Sequence, residues 1–197
     1  MGEQKYVAMV GVDMLHYGKM LTDTADGYTA ETPKKIPGLT EAGFNRNGQS
    51  GSFYADNVLY DTAVGDGDMD VAIACADVPP ELQSELFGYE YKDGVLLGTP
   101  LNSPYVFIQY RIQKSSGAYR YVTIFKLKAL PKEENVTTKG GSINFQTNGF
   151  TLKGAARMQD NAYYRIMDDD DPNLPEGVTA KIIEENWFTD VSWVPGS

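Results

Sequence analysis

A dense β-hairpin signal in the middle of the chain constrains the fold more than any other feature. The segments Tyr105–Lys114 and 119–130 are rich in aromatic and β-branched residues, and a glycine-containing loop at 115–118 separates them. In the second segment one face carries Tyr119, Tyr121, Thr123, Phe125 and Leu127. The other face carries Arg120, Val122, Ile124, Lys126 and Lys128. A face that mixes charge with aliphatic side chains is expected to meet solvent or a neighbouring subunit.

Several further strands are predicted on both sides of this hairpin. Residues 52–63 are rich in strand formers, and Gly65-Asp66-Gly67 has the chemistry of a tight hairpin turn. Residues 68–76 then alternate, with Met69, Val71, Ile73 and Cys75 on one apolar face. More strands are predicted at 142–145, 150–158 and 162–167.

One short helix is predicted over about 79–88. Pro79 and Pro80 suit a first turn, Leu82 and Leu86 form an apolar stripe, and Gly88 supplies a stop. With the strands, this predicts a mainly β (α+β) fold: a β-sandwich or barrel-like domain with one short flanking helix, a long loop and extended terminal arms.

The remaining segments show no clean period. Residues 6–21 are apolar, and the N-terminal segment 1–21 is predicted to be an arm or edge strand, whereas 22–51, rich in Gly, Thr, Pro and Asn, predict a long loop with at most one short strand. Residues 172–197 predict a C-terminal arm with apolar anchors at Trp187, Phe188 and Trp193, which leaves 1–171 as the domain proper. No apolar run of eighteen residues and no signal-peptide pattern occurs, so no membrane contact is expected.

Charge is distributed in blocks. The formal net charge is −10, and residues 61–100 carry one basic and nine acidic side chains, whereas 101–160 carry nine basic and three acidic ones. Complementary blocks suit a molecule whose faces meet in copies of itself, and they predict salt-sensitive contacts between copies. An uneven solvated surface is the alternative interpretation. The acidic total disfavours tight binding to nucleic acid.

Few residues in the sequence are of the types that catalyse reactions or bind metal ions. One histidine, His16, and one cysteine, Cys75, supply neither a metal site nor a convincing nucleophile–base pair. The acids at 66, 68 and 70 have the spacing of a calcium loop, but Val71 stands where that loop needs glycine, which favours an acidic turn. The aspartates 168–171 are typical of a solvated, flexible segment. We therefore expect no enzyme, no cofactor and no metal.

A resemblance to a known protein family rests on the order of several segments along the chain. The segments are 10–17, a Thr/Pro/Gly loop, Ser-Phe-Tyr-Ala-Asp-Asn at 52–57, a strand at 69–74, the helix at 81–88, the hairpin at 105–130, and 151–158 followed by 162–165. Together they span about residues 6–167, and the chain resembles the phi13-type major tail proteins of siphophages that infect low-GC Gram-positive bacteria. None of these segments is a catalytic signature.

The resemblance implies a tail-tube fold whose copies assemble in the bacterial host cytoplasm into stacked hexameric rings of a virion tail. It implies contacts with tape-measure, terminator and distal tail proteins, and passage of DNA without specific binding. Asp56, Asp66, Asp68 and Asp70 are then the candidate lumen acids. Leu39, Thr40, Phe44 and Arg46 are the candidates for an inter-ring loop. Both terminal arms would contact the next ring.

Other functions stay open. Thirteen tyrosines also suit a non-polymerising β-sandwich module that binds carbohydrate or a host surface. A tube protein of a contractile tail or tail-like particle, a tube-end protein that forms a single ring, and an enzyme are further alternatives. The loop interpretation predicts that deleting residues 39–51 leaves a folded subunit that no longer forms long tubes.

Overall fold

Strands dominate the structure, as the alternating sequence patterns predict. The computed structural model describes residues 6–131, 134, 137–138 and 146–196. The strands are β1 (Met9–Thr24), β2 (Gly27–Ala30), β3 (Lys34–Lys35), β4 (Leu39–Arg46), β5 (Gln49–Ala55), β6 (Val58–Gly65), β7 (Met69–Cys75), β8 (Glu90–Lys92), β9 (Val95–Leu97), β10 (Tyr105–Lys114), β11 (Tyr119–Ala129), β12 (Asn148–Gly154) and β13 (Tyr164–Asp168). The helices are α1 (Pro80–Phe87) and α2 (Ala180–Trp187). The mainly β fold class is confirmed.

Nine of these strands form one antiparallel sheet. Its order is β2-β1-β10-β11-β12-β7-β4, with β3 beside β1 and β13 beside β11. Although β1 and β4 stand far apart in this order, they lie in contact, so the sheet curves back over itself and encloses a core. A sheet that folds over in this way buries its inner face as a β-sandwich does.

The main core lies between the two halves of the curved sheet. The apolar alternation of β7 points Met69, Val71, Ile73 and Cys75 inward, as the sequence predicts, and all four are buried. Helix α1 closes one end of this core with Leu82, Leu86 and Phe87. The helix ends as predicted at Gly88, whose φ of 72° is left-handed and whose N–H donates to the Ser84 carbonyl over 2.9 Å.

Strands β10 and β11 are covered on both faces, which corrects the prediction of an outward-facing mixed face. Val122 and Ile124 are buried in the main core, and Tyr121, Thr123 and Phe125 are buried on the opposite face. A β-bulge at Lys126, whose φ is 46°, shifts the alternation so that Leu127 joins the main core.

The N-terminal arm prediction is wrong in its placement of β1. This strand pairs with β10 on one side and with β2 and β3 on the other, so it lies inside the sheet and not at its edge. A register shift between Asp13 and His16, where Met14 has a φ of 57°, bends the strand. The bend explains why no single period runs through residues 6–21.

The long loop predicted over 22–51 is also wrong. It contains β2, β3, β4 and the first residues of β5. Strand β4 lies antiparallel to β7, with Phe44 opposite Val71. Because this pairing joins residues far apart in sequence, the local composition of Gly, Pro and Asn does not reveal it.

The C-terminal segment holds a second helix that the sequence does not predict. Helix α2 begins after Thr179, whose hydroxyl accepts the N–H of Ile182 over 3.4 Å. The predicted strands near 150–158 and 162–167 are present as β12 and β13. The predicted strand at 142–145 falls outside the described residues. No helix in the described ranges is long and apolar enough to cross a membrane.

Candidate assembly interface

One long β-hairpin runs from Leu39 to Cys75 and extends well beyond the sheet. Its base is the β4–β7 pair, which ends with Arg46 opposite Met69, and pairing resumes as β5–β6 with Gln49 opposite Gly65. Its tip is Asp56-Asn57, with φ values of 52° and 63°. Two left-handed residues are what a two-residue type I′ turn requires.

This hairpin corrects the prediction of a turn at Gly65-Asp66-Gly67. Those residues lie where the hairpin leaves the sheet, and the predicted strand 52–63 contains the real turn in its middle. We call β5 and β6 with their turn, residues 49–65, the ribbon. Strands of seven and eight residues give the ribbon a reach of about 25 Å.

The junction between base and ribbon is fixed by close backbone contacts. The N–H of Asn47 donates to the Asp68 carbonyl over 2.9 Å. A Cβ atom at Gly67 would lie 1.6 Å from the carbonyl oxygen of Asn47, so only glycine fits there. The ribbon therefore leaves the body at a defined point.

Three of the four candidate lumen acids lie at this junction and are matched with cations. Arg46 is 2.8 Å from Asp66, and Lys153 is 2.8 Å from Asp68 and 2.6 Å from Asp70. Hydrogen bonds from Lys153, and then from Asn47, lower the pKa of both Asp68 and Asp70. Three carboxylates and two cations leave this cluster a formal charge of −1.

Asp56 stands apart from that cluster, at the tip of the ribbon. Asp56 was predicted to lie with the other acids because the sequence did not reveal the turn at 56–57. Sequence reasoning also missed Asn47 and Lys153. The signal that could have revealed the junction is the pair of turn-forming dipeptides, Asn47-Gly48 and Asp66-Gly67, one on each strand.

The ribbon exposes a large apolar surface. Its large apolar side chains are Phe53, Tyr54, Val58, Leu59, Tyr60 and Val64. Their exposed fractions range from 51% for Leu59 to 78% for Val64. In the described part of the chain, β5 and β6 make no extensive contact with any other strand or helix. Exposed contiguous apolar surface of this kind marks a binding site.

Both faces of the ribbon are apolar near its tip. Phe53 and Tyr60 meet edge to face on one side, with ring centroids 6.1 Å apart, and Tyr54 lies opposite Leu59 on the other. Residues 47–91 contain no lysine or arginine, so the ribbon brings carboxylates but no cations to a partner. The two outer strand edges of the ribbon also carry unpaired backbone groups.

The candidate inter-ring loop residues lie in strand β4. Leu39 and Phe44 pack against the main core, and the Phe44 ring lies 4.7 Å from that of Tyr164. Thr40 is exposed, and Arg46 packs over the Tyr163 ring at 4.2 Å while it holds Asp66. Of these four residues only Thr40 is exposed; the other three are partly buried. The projecting element is the ribbon instead.

The predicted anchor residues of the C-terminal segment 172–197 pack against their own subunit. Trp187 and Phe188 are buried against Tyr121, at ring-centroid distances of 5.7 and 5.9 Å, and Trp193 is half-buried beside them. Gln109 donates to the Trp187 carbonyl over 2.8 Å beneath the helix. This segment therefore covers the second face of β10 and β11, which corrects the prediction of an arm that contacts the next ring.

The two residues considered for catalysis or metal binding, His16 and Cys75, are both buried and contact other residues of the chain. His16 stacks on Phe188 at 4.5 Å, and burial lowers the pKa of His16. The Cys75 thiol is buried and donates to the Asp77 carbonyl over 3.3 Å. Within the described ranges, no group of three or more His, Cys, Asp or Glu side chains could hold a metal ion.

No family model matches the chain, and no curated protein matches it.

Proposed function

We propose that this chain is a structural subunit that polymerises with copies of itself, and that the polymer is the tube of a long, non-contractile bacteriophage tail. The exposed ribbon carries the proposal. An isolated two-stranded ribbon is only marginally stable in water, and this one is apolar on both faces near its tip. It gains stability when a neighbouring molecule covers it.

The neighbour that fits most simply is another copy. A ribbon that projects from one side of a subunit reaches a different surface on the next subunit, and such head-to-tail contacts generate closed rings or open filaments. The resemblance to siphophage major tail proteins supports the identity of the polymer as stacked hexameric rings. The tape-measure, terminator and distal tail proteins are then the partners at its ends and in its lumen.

Negative-stain microscopy and light scattering of the concentrated protein test this proposal. We expect rings or tubes of uniform width. A protein that stays monomeric at millimolar concentration, and that instead binds a glycan, would support the carbohydrate-binding alternative. A single ring that never extends would support a tube-end protein.

A deletion variant tests the role of the ribbon. It removes residues 49–65, so that Asn47-Gly48-Asp66-Gly67 connects β4 to β7. These four residues supply two turn-forming dipeptides and leave the base pairs of the hairpin intact. We expect a folded monomer with the circular dichroism of a β protein and no tubes. This deletion replaces that of 39–51, which would also remove β4 from the sheet. Normal tubes from the variant would contradict the role of the ribbon.

A further inference from the structure

The C-terminal segment 172–197 covers a buried surface that is only partly apolar. Beneath it Gln109 and Thr123 are fully buried, and the Gln109 amide donates to the Thr123 hydroxyl and to the Trp187 carbonyl. Three buried polar atoms at this contact have no hydrogen-bond partner among the described residues: Gln109 Oε1, Trp187 Nε1 and Arg165 Nε. Each such atom opposes burial. The segment is therefore held less firmly than its buried aromatic side chains alone would hold it.

The one histidine of the chain takes part in this contact. His16 is buried, and its ring stacks on that of Phe188 in the segment, with ring centroids 4.5 Å apart. Its Nδ1 lies 2.7 Å from the Met14 carbonyl oxygen. Because a carbonyl oxygen only accepts, Nδ1 carries the proton of the neutral ring. A second proton would therefore enter at Nε2 and create a buried charge.

The groups around His16 do not compensate such a charge. On one side Lys35 of β3 lies directly opposite His16, so the two side chains share a face of the sheet. On the other side the partner in β10 is the uncharged Gln109. Tyr121, which contacts Phe188, stays neutral because burial raises its pKa. The acids nearest in sequence to these contacts are engaged elsewhere: Asp13 and Glu184 by Arg111, and Asp190 by Ser192.

We propose that the C-terminal segment is a releasable cover whose docking weakens when His16 becomes protonated. The neutral ring fits the buried stack on Phe188, whereas an imidazolium there would be desolvated and would lie beside Lys35. Protonation therefore favours the released segment, in which the ring reaches water. Release uncovers the face of β10 and β11 that carries Tyr121 and Gln109. The inference goes beyond the proposed self-assembly and does not depend on it.

The direction of the pH effect follows from the pKa of His16 in the two states. Burial lowers this pKa most, and Lys35 lowers it further, whereas the Met14 hydrogen bond raises it. An imidazolium is also attracted to the face of a phenyl ring, but the loss of hydration is the larger effect. In the released segment the pKa returns to about 6.5. Docking is therefore strongest above about pH 6.5 and weakens below it, about tenfold for each pKa unit between the two states.

Tryptophan fluorescence tests this release without a label, because both tryptophans of the chain, Trp187 and Trp193, lie in the segment. Between about pH 8 and 5, where histidine titrates, we expect the wild-type emission to shift to longer wavelength. Circular dichroism should meanwhile keep the signal of the β sheet. His16→Phe retains an aromatic ring beside Phe188, and His16→Asn retains a donor for the Met14 carbonyl. Neither variant titrates in this range, so we expect no shift in either.

A second measurement and a second titratable group sharpen the test. Nuclear magnetic resonance follows His16 directly, and we expect a pKa below the ordinary value of about 6.5. Asp169 lies shortly before the segment, and burial raises its pKa, so Asp169→Asn is the control and should keep the fluorescence shift. An unchanged wild-type emission, a His16 pKa at or above about 6.5, or a shift that persists in both His16 variants would overturn the proposal. Loss of the shift in Asp169→Asn would overturn it as well. None of these results bears on whether the protein forms tubes.

Discussion

Two neighbouring aspartates show how differently adjacent residues are placed in this fold. Asp168 lies 2.6 Å from Arg120 and 2.9 Å from the buried Lys114, and the hydrogen bonds from Arg120 lower its pKa. Asp169 accepts the Tyr119 N–H over 2.9 Å, and burial raises its pKa. The acidic run predicted to be solvated and flexible is therefore partly built into the structure, which corrects that prediction.

The same substitution should have opposite effects at these two positions. Asp168→Asn leaves Arg120 without its charge partner and Lys114 with Asp170 alone, and we expect a loss of about 2 kcal/mol, as for hydrogen bonds to charged groups. Asp169→Asn removes a charge that burial disfavours, and we expect unchanged or slightly higher stability. Urea denaturation at pH 7 measures both. A destabilised Asp169→Asn variant, or an unaffected Asp168→Asn variant, would contradict this assignment.

The pH dependence of stability follows from the lowered pKa of Asp168. Because its folded pKa lies below the unfolded value of about 3.9, its contribution is present above that value and is lost as the pH falls through the folded pKa. The free energy of unfolding should therefore fall more steeply below about pH 4 in the wild type than in Asp168→Asn. Parallel curves for the two proteins would show that Asp168 does not contribute in this way.

Gly67 gives a residue-level test of the junction. Gly67→Ala forces a Cβ against the Asn47 backbone, and we expect a loss of about 2 kcal/mol or more because backbone must move. Gly51→Ala is the control in the same hairpin, since its Cβ would meet nothing within 4 Å. We expect Gly51→Ala to stay within about 0.5 kcal/mol of the wild type. Thermal unfolding of both variants and the wild type measures these differences in stability, and equal stability of the two variants would contradict a tight junction at Gly67.

At the scale of elements, helix α2 is held by one of the two tryptophans. Trp187 is fully buried and supports the guanidinium of Arg165, which lies 4.4 Å from its ring and whose pKa burial lowers to about 10. We expect Trp187→Ala to cost about 4 kcal/mol through the cavity it leaves. Trp193→Ala, at a half-buried position, should cost about 1 kcal/mol. Equal losses in chemical denaturation would show that the helix is not the main anchor.

The elements that the sequence predicted well are those whose signal is local. Strand β7 alternates without interruption, and α1 carries its own start and stop signals. Strand β4 was missed because its partner is some thirty residues away and its own sequence, with Gly43 and Asn45, resembles a loop. The turn at Asp56-Asn57 was missed because neither residue is glycine, although both have left-handed φ values.

On the scale of the whole molecule, the charge blocks are matched within the chain. Among the described residues of 101–160, the basic side chains that pair with acids elsewhere in the chain are Arg111 with Asp13 and Glu184, Lys114 and Arg120 with Asp168, Lys126 with Asp23, and Lys153 with Asp68 and Asp70. The complementarity seen in the sequence therefore stabilises the subunit itself. It need not join two subunits.

This pairing changes the expected effect of salt on assembly. Each copy retains a formal charge of −10, so copies repel one another, and the ribbon that joins them is mainly apolar. We expect added sodium chloride to promote assembly by screening that repulsion, and sulfate to promote it further by favouring apolar burial. Light scattering against salt concentration measures this. Dissociation on adding salt would return the main role to ion pairs between copies.

The candidate interface was predictable only in part. The sequence predicted a strand over 52–63, and the structure places exposed aromatic residues in that segment. Its shape was not predictable, since the length of the hairpin depends on the pairing of β4 with β7.

The ribbon is joined to the body at one junction and shares no core with it. Its length can therefore change without any adjustment in the sheet that supports it. Because side chains alternate across a strand, adding two residues to each strand preserves which face every side chain occupies and lengthens the ribbon by about 7 Å. Adding one to each strand would turn the aromatic side chains to the wrong side. The reach of this molecule is consequently adjustable in discrete steps of four residues.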